Sequence, residues 1–547
     1  MRQTLRLLAM IALAALIAAA APPPRPRLIV VISVDQMRYD YLSRFAKYEN
    51  SGLHYLTSEG ADFTHANYRH IPTETCPGHS IILSGRDPEH TGIVGNSWYD
   101  AAAGHALYCV ADPASPLLDP AGGNGPGVSP RNFVGLGFGD QLQAALPGAR
   151  VFSISLKDRA AVMLGGKHPA GGAFWFSQAD GNFISSHYYF SRLPEWARQF
   201  DASHPADAYA GRVWSLLLGT SSPAYGADRA RFPHQLPAAA GPALYSAVYG
   251  SPFGDELLER FAETLIAAND LGQGAQTDLL AISFSSNDVV GHAYGPDSAE
   301  IADEQIRLDR TLGKLVADVN GRLGAAHVLW ALSADHGVQP APEEEQALRH
   351  NRAARRVDPR QIEAAAARFL DAVFHQPADF RWFAMIGDGQ IWFNRANLAA
   401  HQIDLAAAQQ ALERARVDGI SGFYDGVRPA PAPAWLRPFL RNSYFAGRSG
   451  DVYYIPRQWT LLSAAHPGSG GPFPTSHGTP YSYDTHVPFL IAGTGVRARH
   501  IAAPVHVIDL APTLARLIGI PWHSDQPNAV ARLRPASPSR AARAPAR

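Results

Sequence analysis

Aspartates, histidines and one threonine stand in this chain where backbone geometry would gather them. Thr75 lies within Thr73-Glu-Thr-Cys-Pro-Gly-His79. Asp35 closes an apolar run, Asp288 and His292 form an Asp-x-x-x-His pair, Asp335-His336 follows a second apolar run, and His477 precedes Gly478. Carboxylate oxygen and imidazole nitrogen are donors that zinc takes, and a catalytic zinc keeps one position open for water or substrate. Each motif is weak alone. One helical turn puts Asp288 and His292 on the same side, as it does for many ordinary surface or core pairs. His477 reads equally well as a loop histidine. Asp335-His336 is stronger, because an adjacent carboxylate and imidazole at a strand end can serve two neighbouring metals. Six such residues at the ends of elements are hard to attribute to independent accidents.

Those ligands change the reading of Thr75. A threonine hydroxyl is a poor nucleophile at neutral pH, and coordination of its oxygen by metal would activate it. Without them a helix cap is the better reading. Cys76-Pro-Gly-His-Ser80 predicts a turn into a helix whose N-terminal N–H groups favour an anionic substrate. Lys157 and Arg159 follow an apolar run and, two apart on extended chain, face the same side. Arginine binds phosphoryl oxygens bidentately and lysine acts as a point charge; in isolation the two would read as solvated charges. Asn96, in Gly95-Asn-Ser-Trp98, offers an amide donor to a non-bridging oxygen, or else marks a turn.

The elements that must position these residues are legible as apolar runs. Leu28–Val34, 151–155, 279–284, 328–333 and 487–492 are short, continuous and rich in β-branched residues, the pattern of strands buried on both faces of a parallel sheet. Between them, 299–323 carries a stripe of Ile301, Leu308, Leu312, Leu315, Val319 and Leu323 at near-helical spacing, and 509–518 reads as a closing helix. This alternation predicts an α/β fold with a mostly parallel central sheet and helices on both faces. Ligands bind at the carboxyl ends of such strands, where Asp35, Lys157, Asp288 and Asp335 sit. Two insertions, about 166–269 and 339–470, interrupt the core. The second predicts a small α+β subdomain, with helices over 359–373 and 405–416 and a strand pair at 382–386 and 390–393. Either insertion would lid the site or only widen the core.

Bulk composition bounds the rest. The chain has 547 residues, 46% hydrophobic and 17% charged, with a formal net charge of −1. That fits a globular catalytic domain over 27–522 and gives no electrostatic case for a nucleic-acid or anionic-membrane partner. Arg2, Arg6, the apolar 7–17 and Ala18–Ala21 predict a cleaved signal peptide over 1–21, hence a soluble periplasmic or secreted protein. Proline, alanine and arginine predict a disordered basic tail over 523–547. Cys76 and Cys109 would pair in an oxidising compartment or remain buried thiols. No EF-hand-like spacing supports structural calcium, and a monomer is the default expectation.

Taken together, Ser33-Val-Asp-Gln-Met-Arg38, Thr75-Cys-Pro-Gly-His79, Gly95-Asn-Ser-Trp-Tyr-Asp100, Ser155-Leu-Lys-Asp-Arg159, Asp288–His292, Ser333-Ala-Asp-His-Gly337 and His477-Gly-Thr-Pro resemble the alkaline phosphatase superfamily over nearly the whole mature chain. The match is strongest to bacterial periplasmic phosphatases of the PafA and PhoK type, which use threonine in place of serine and are related to nucleotide pyrophosphatase/phosphodiesterases. The resemblance implies two zinc ions, one on Asp35, Asp335, His336 and the Thr75 oxygen, the other on Asp288, His292 and His477. It implies that Asn96, Lys157 and Arg159 bind the phosphoryl group. His486 also precedes a strand, but His477-Gly478 matches related phosphodiesterases better. The sulfatase branch needs Cys-x-Pro-x-Arg. Here proline directly follows Cys76 and Ser80 stands at the arginine position, so sulfatase is disfavoured.

The implied function is a zinc-dependent phosphomonoesterase acting through a phosphothreonine on small-molecule phosphate monoesters. A phosphodiesterase or nucleotide pyrophosphatase on the same scaffold is the first rival, and Lys157 with Arg159 argues against it, because a diester has less charge to neutralise. A metal- or phosphate-binding protein without turnover is the rival from another class, and Thr75 beside a full ligand set argues against it. A phosphomutase would need a phosphosugar, scarce outside the cytoplasm. Ligand type alone leaves manganese and cobalt open beside zinc.

Overall fold

The computed structural model describes residues 25–118, 126–226, 231–464 and 474–526. Ten strands form one sheet: β1 (Leu28–Val34), β2 (Ala61–Phe63), β3 (Leu117–Leu118), β4 (Val151–Ser155), β5 (Gly172–Phe176), β6 (Phe183–Ser186), β7 (Asp278–Phe284), β8 (Val328–Ser333), β9 (Phe489–Gly493) and β10 (Arg499–Ile501). Their order is β10-β2-β9-β8-β1-β7-β4-β5-β6-β3. The five central strands β8, β1, β7, β4 and β5 run parallel. Every residue of β1, β7 and β8 is buried, so both faces of the sheet are covered. One helix group joins α3 (Pro252–Ala268), α4 (Ser286–Tyr294), α5 (Ala299–Leu323) and Gly52–Ser58; another joins α1 (Thr75–Ser84), α2 (Asp158–Gly165) and Leu510–Ile518.

Register, more than strand identity, builds the site. Ser33 pairs with Ser283 and Ser333, and Ser283 with Ser155. Four serines thus form one row across β8, β1, β7 and β4. Two residues beyond that row the chain reaches Asp35, Lys157, Ser285 and Asp335 in each strand's exit. A one-residue slip in any pair would turn that side chain to the other face. Small hydroxyls suit this last layer: Ser283 Oγ meets His79 Nε2 at 2.8 Å, and Ser155 Oγ donates to Ser283 O at 3.0 Å.

Two expectations need correction. β9 begins at Phe489 and runs antiparallel to β8 and β2. Continuous apolarity at 487–492 reports burial on both faces, which an antiparallel strand inside a large sheet shares with a parallel one; Pro488, which has no N–H to give a ladder, stands just outside. Residues 523–526, assigned above to a disordered tail, are held by the fold. His523 N–H donates to Gln141 Oε1 at 2.8 Å, and Gln526 Oε1 accepts from Asp87 N–H at 2.6 Å. Composition does not register such side-chain anchors. Residues 1–24 and 527–547, which carry the expected signal peptide and the rest of the tail, lie outside the described residues.

The two insertions behave differently. Much of the first widens the core: β5 and β6 extend the sheet, and Phe183 stacks on Phe261 of α3 with centroids 4.0 Å apart. The second builds its own four-stranded sheet from Phe383–Gly387, Gln390–Phe393, Val452–Pro456 and Ile420–Tyr424. It has a separate core around Ile362, Leu370, Trp382 and Leu412. Its hairpin is tied to the catalytic side, where Gln390 Nε2 donates to Val94 O at 3.0 Å.

Candidate active site

Thr75 is the first residue of α1, buried, with Glu74 extended before it. The helix is packed hard against the end of β8. A Cβ on Gly78 would fall 2.1 Å from the Asp335 carbonyl oxygen. One turn after Thr75, His79 meets the Thr75 carbonyl through Nδ1 at 2.9 Å and lies 3.2 Å from Asp335 Oδ2. The first turn of α1, which carries Thr75, is therefore fixed against Asp335 by backbone contact and by an imidazole. Its hydroxyl lies 3.5 Å from Arg159 Nη2.

The N-terminal amides of α1 are largely spoken for, unlike the open anion cradle expected from sequence. Cys76 N–H donates to Asn96 Oδ1 at 2.9 Å, Pro77 has none, and Gly78 N–H donates to Glu74 O at 2.9 Å. Occupation of Asn96 Oδ1 leaves that side chain its NH₂ as a donor. Asn96 is itself held, its N–H donating to Glu74 Oε2 at 2.8 Å and its carbonyl accepting from Cys109 N–H at 2.9 Å. Cys76 and Cys109 are disulfide-bonded, which staples the threonine helix to the Asn96 segment.

The carboxylates and imidazoles expected to bind metal lie near one another, with Asp288, where Asp335 was expected, in the tight cluster around Asp35 and His336. His336, His292 and His477 each place Nδ1 on a backbone carbonyl, of Gly337 (2.9 Å), Thr475 (2.7 Å) and Thr73 (2.7 Å). Each Nε2 then turns to carboxylate: His336 to Asp335 Oδ2 (3.3 Å) and Asp35 Oδ1 (3.6 Å), His292 and His477 to Asp288 Oδ1 (3.2 and 3.9 Å). Donation of the far nitrogen to a fixed acceptor is how proteins orient metal-binding imidazoles. Donor atoms of Asp288, His292 and His477 lie within 4.8 Å of one another, as do those of Asp35, Asp288 and His336. His486 is elsewhere, bonded to Thr64 O at 3.0 Å and stacked on Tyr39.

Lys157 does not stand free for a phosphoryl group. Its ammonium lies 2.5 Å from Asp35 Oδ2 and 2.6 Å from Asp288 Oδ2. The physical reason is local charge: Asp35, Asp288 and Asp335 are buried together and draw the nearest cation. Burial, reinforced by Asp335, pushes the Asp35 carboxyl well above the usual carboxylate range. Burial acts the same way on Asp288 and Asp335, but Lys157 overrides it at one and His336 at the other, so both are held below that range. Burial favours neutral His336 and His477, whereas at His292 it is outweighed by Asp288. The buried Asp35 Oδ1 and His336 Nε2 have no hydrogen-bond partner. Unpaired buried acceptors of this kind are costly, and a cation between them would satisfy both. The donor set therefore fits a divalent metal.

Several residues at the centre escaped the sequence reading. Gln36, at φ +66°, donates its N–H to Asp335 Oδ1 at 3.0 Å and its Nε2–H to Asp288 Oδ1 at 2.7 Å, joining carboxylates from two strand ends. Asn287 donates to the Asp35 carbonyl at 2.6 Å and accepts from Gln305 at 2.7 Å. Adjacency to Asp35 and Asp288 was the only signal available for these two. His79 and Glu74 flank Thr75 in sequence without any pattern that assigns them a role.

A cavity of about 390 Å³ opens beside His292 and His477 toward the second insertion. Residues of that insertion, among them Asp388, Tyr454 and Leu461, supply part of the cavity's lining.

The sequence matches the family described as type I phosphodiesterase / nucleotide pyrophosphatase over residues 29–478. It is 32% identical over 524 residues to alkaline phosphatase PhoV of Synechococcus elongatus, covering 92% of this chain and 91% of that protein. It is 30% identical over 525 residues to alkaline phosphatase PafA of Elizabethkingia meningoseptica, covering 92% and 93%. A Myroides odoratus protein named calcium-transporting ATPase is 31% identical over 520 residues, covering 91% and 92%; no helix among the described residues here is long and apolar enough to cross a membrane. The crystal structure of wild-type PafA superposes with a TM-score of 0.82 at 29% identity, covering 91% of this chain and 96% of that one. A PafA variant substituted at a threonine, an asparagine, a lysine and an arginine, in that order, matches at 0.81 and 28%, with the same coverage. Murine ectonucleotide pyrophosphatase/phosphodiesterase 5, at 14% identity and TM-score 0.51 over 92% and 96% of the chains, shares the fold.

Proposed function

Because the chain belongs to the type I phosphodiesterase / nucleotide pyrophosphatase family, and within it to the PafA-like alkaline phosphatases, we propose that it hydrolyses phosphate monoesters by transfer of the phosphoryl group to Thr75. The observation that carries this reading is the buried Thr75, at the start of a helix packed on Asp335, with its hydroxyl 3.5 Å from the Arg159 guanidinium. In the first step Thr75 Oγ bonds to phosphorus and the ester oxygen leaves on the opposite side. In the second, water attacks the phosphothreonine and regenerates the hydroxyl. Two zinc ions, one held by Asp35, Asp335, His336 and the Thr75 oxygen and the other by Asp288, His292 and His477, would supply the charge that activates the hydroxyl and stabilises the leaving oxygen.

The remaining groups serve the phosphoryl oxygens. Arg159 offers a planar fork for two of them, and the Asn96 NH₂ donates to one. Lys157, released from Asp35 and Asp288 when metal takes those carboxylates, would neutralise another. Such charge is most useful on a monoester dianion. The PafA variant altered at Thr, Asn, Lys and Arg matches Thr75, Asn96, Lys157 and Arg159 here in type and order along the chain. The Cys76–Cys109 disulfide supports export to the periplasm or beyond.

Initial rates on p-nitrophenyl phosphate and bis-p-nitrophenyl phosphate, for metal-replete wild type and Thr75→Ala, test the proposal. A strong monoester preference abolished by the substitution is expected. A diester preference would assign the chain to phosphodiesterase chemistry, and full activity without Thr75 would remove the nucleophile.

A further inference from the structure

The cavity beside His292 and His477 carries a signature of charge. Among the described residues no lysine or arginine lines it. Its walls are mixed, with Tyr454, Ile455, Leu461 and Leu462 of the second insertion supplying apolar surface, and beyond His292 and His477 its carboxylates are Glu74 and Asp388. The pair is built by the sequence. Asp388-Gly389 joins Phe383–Gly387 to Gln390–Phe393, and both turn residues have positive φ, 49° and 75°, the conformation that Asp-Gly favours in a two-residue hairpin. The Gly389 carbonyl accepts from Tyr454 N–H at 2.8 Å, which pins the tip. Asp388 is thereby brought beside the buried Glu74, whose Oε2 takes Asn96 N–H at 2.8 Å; burial, reinforced by Asp388, pushes the Glu74 carboxyl well above the usual carboxylate range.

The position of the cavity identifies what enters it. Thr75 lies with Asp335, through the Gly78 contact and His79. His292 and His477 gather on Asp288. In-line displacement sends the leaving oxygen away from the attacking one. The cavity is lined by His292 and His477 and reaches Asn96, while Thr75, Lys157 and Arg159 are not part of its lining. We propose that this cavity receives the leaving group, and that Asp388 makes it select neutral or ammonium-bearing alcohols over those carrying a carboxylate or a second phosphate. This rests on the monoesterase reading given above. Asp388 acts as a specificity residue. It touches the leaving group and takes no part in bond making.

The test compares kcat/KM for phenyl phosphate, 4-carboxyphenyl phosphate and 4-(2-aminoethyl)phenyl phosphate in wild type, Asp388→Asn and Asp388→Lys. Comparing the same substrates across enzymes cancels their intrinsic reactivities. Asparagine tolerates the positive φ of the turn, so it serves as the variant that keeps the hairpin. Asp388 is solvent-exposed, so removing its like charge is worth roughly fivefold after screening. The ratio of 4-carboxyphenyl to phenyl turnover is expected to rise about fivefold in Asp388→Asn and further in Asp388→Lys. The aminoethyl-to-phenyl ratio should fall in the same order. Both ratios remaining within about twofold of wild type in both variants would overturn the assignment. A wild type that turns over none of the three, or a Thr75→Ala that turns over all of them normally, would instead bring down the underlying reading and this inference with it.

Discussion

Gly78→Ala adds one methyl group where α1 meets the end of β8. Its carbon would lie 2.1 Å from Asp335 O, 2.7 Å from Asp335 C and 2.8 Å from Asp335 Cα. All three are backbone atoms, so no side chain can swing aside. Ordinary contact begins near 3.4 Å, so helix and strand end must separate by about 1.3 Å. Thr75 is three residues earlier on the same rigid helical turn and moves with it. A misplacement of about 1 Å costs on the order of 10²-fold in rate, and overpacking of this kind costs about 1–3 kcal/mol of stability. The assay is kcat/KM for p-nitrophenyl phosphate at saturating zinc, with urea unfolding run in parallel. Gly321→Ala is the control: it adds the same methyl group on the exposed side of α5, where nothing lies within 4 Å. That control should keep full activity and gain up to about 1 kcal/mol, the helix preference of alanine over glycine. A Gly78→Ala enzyme within about threefold of wild type would refute the claim that this contact holds the nucleophile to the ligands.

Gln36→Leu removes the amide that donates to Asp288, and a zinc titration of activity against a competing chelator should show affinity lower by about 10–100-fold. Replacing Cys76 and Cys109 with alanine opens a cross-link spanning 33 residues; chain entropy puts the loss at about 3–4 kcal/mol, read from the urea midpoint. Glu49 is buried beside Asp309, and burial followed by that charge pushes its carboxyl up to about 8. A raised folded-state value means that stability present below the unfolded value of about 4.3 is lost as pH rises through 8. Glu49→Gln should therefore match wild type at pH 4 and exceed it at pH 9 by on the order of 2–4 kcal/mol in urea unfolding; equal curves at both pH values would show that Glu49 ionises without penalty.

The parallel centre of the fold was legible because buried strands leave unbroken apolar runs. Leu28–Val34 and Val328–Ser333 begin and end where the runs do, and α5 spans its stripe. Direction was not legible: β9 has the same apolarity as its neighbours and runs the other way. The candidate ligands were found because carboxylates and histidines at strand exits are unusual enough to notice. What the sequence hid was pairing among residues of ordinary type. Gln36, Asn287 and Glu74 act through hydrogen bonds to groups up to hundreds of residues away. Lys157 was read from its position two residues past a strand. Its actual partners follow from three buried carboxylates that only the folded chain brings together.

Acid quenching of the metal-loaded enzyme during turnover of a phosphate monoester, followed by digestion and mass spectrometry, tests the central claim most directly. A covalent phosphoryl group on the peptide containing Thr75, located on that hydroxyl and absent from Thr75→Ala, is the predicted result. A phosphoryl group on another residue, or none in an enzyme that shows a burst of alcohol release, would contradict it.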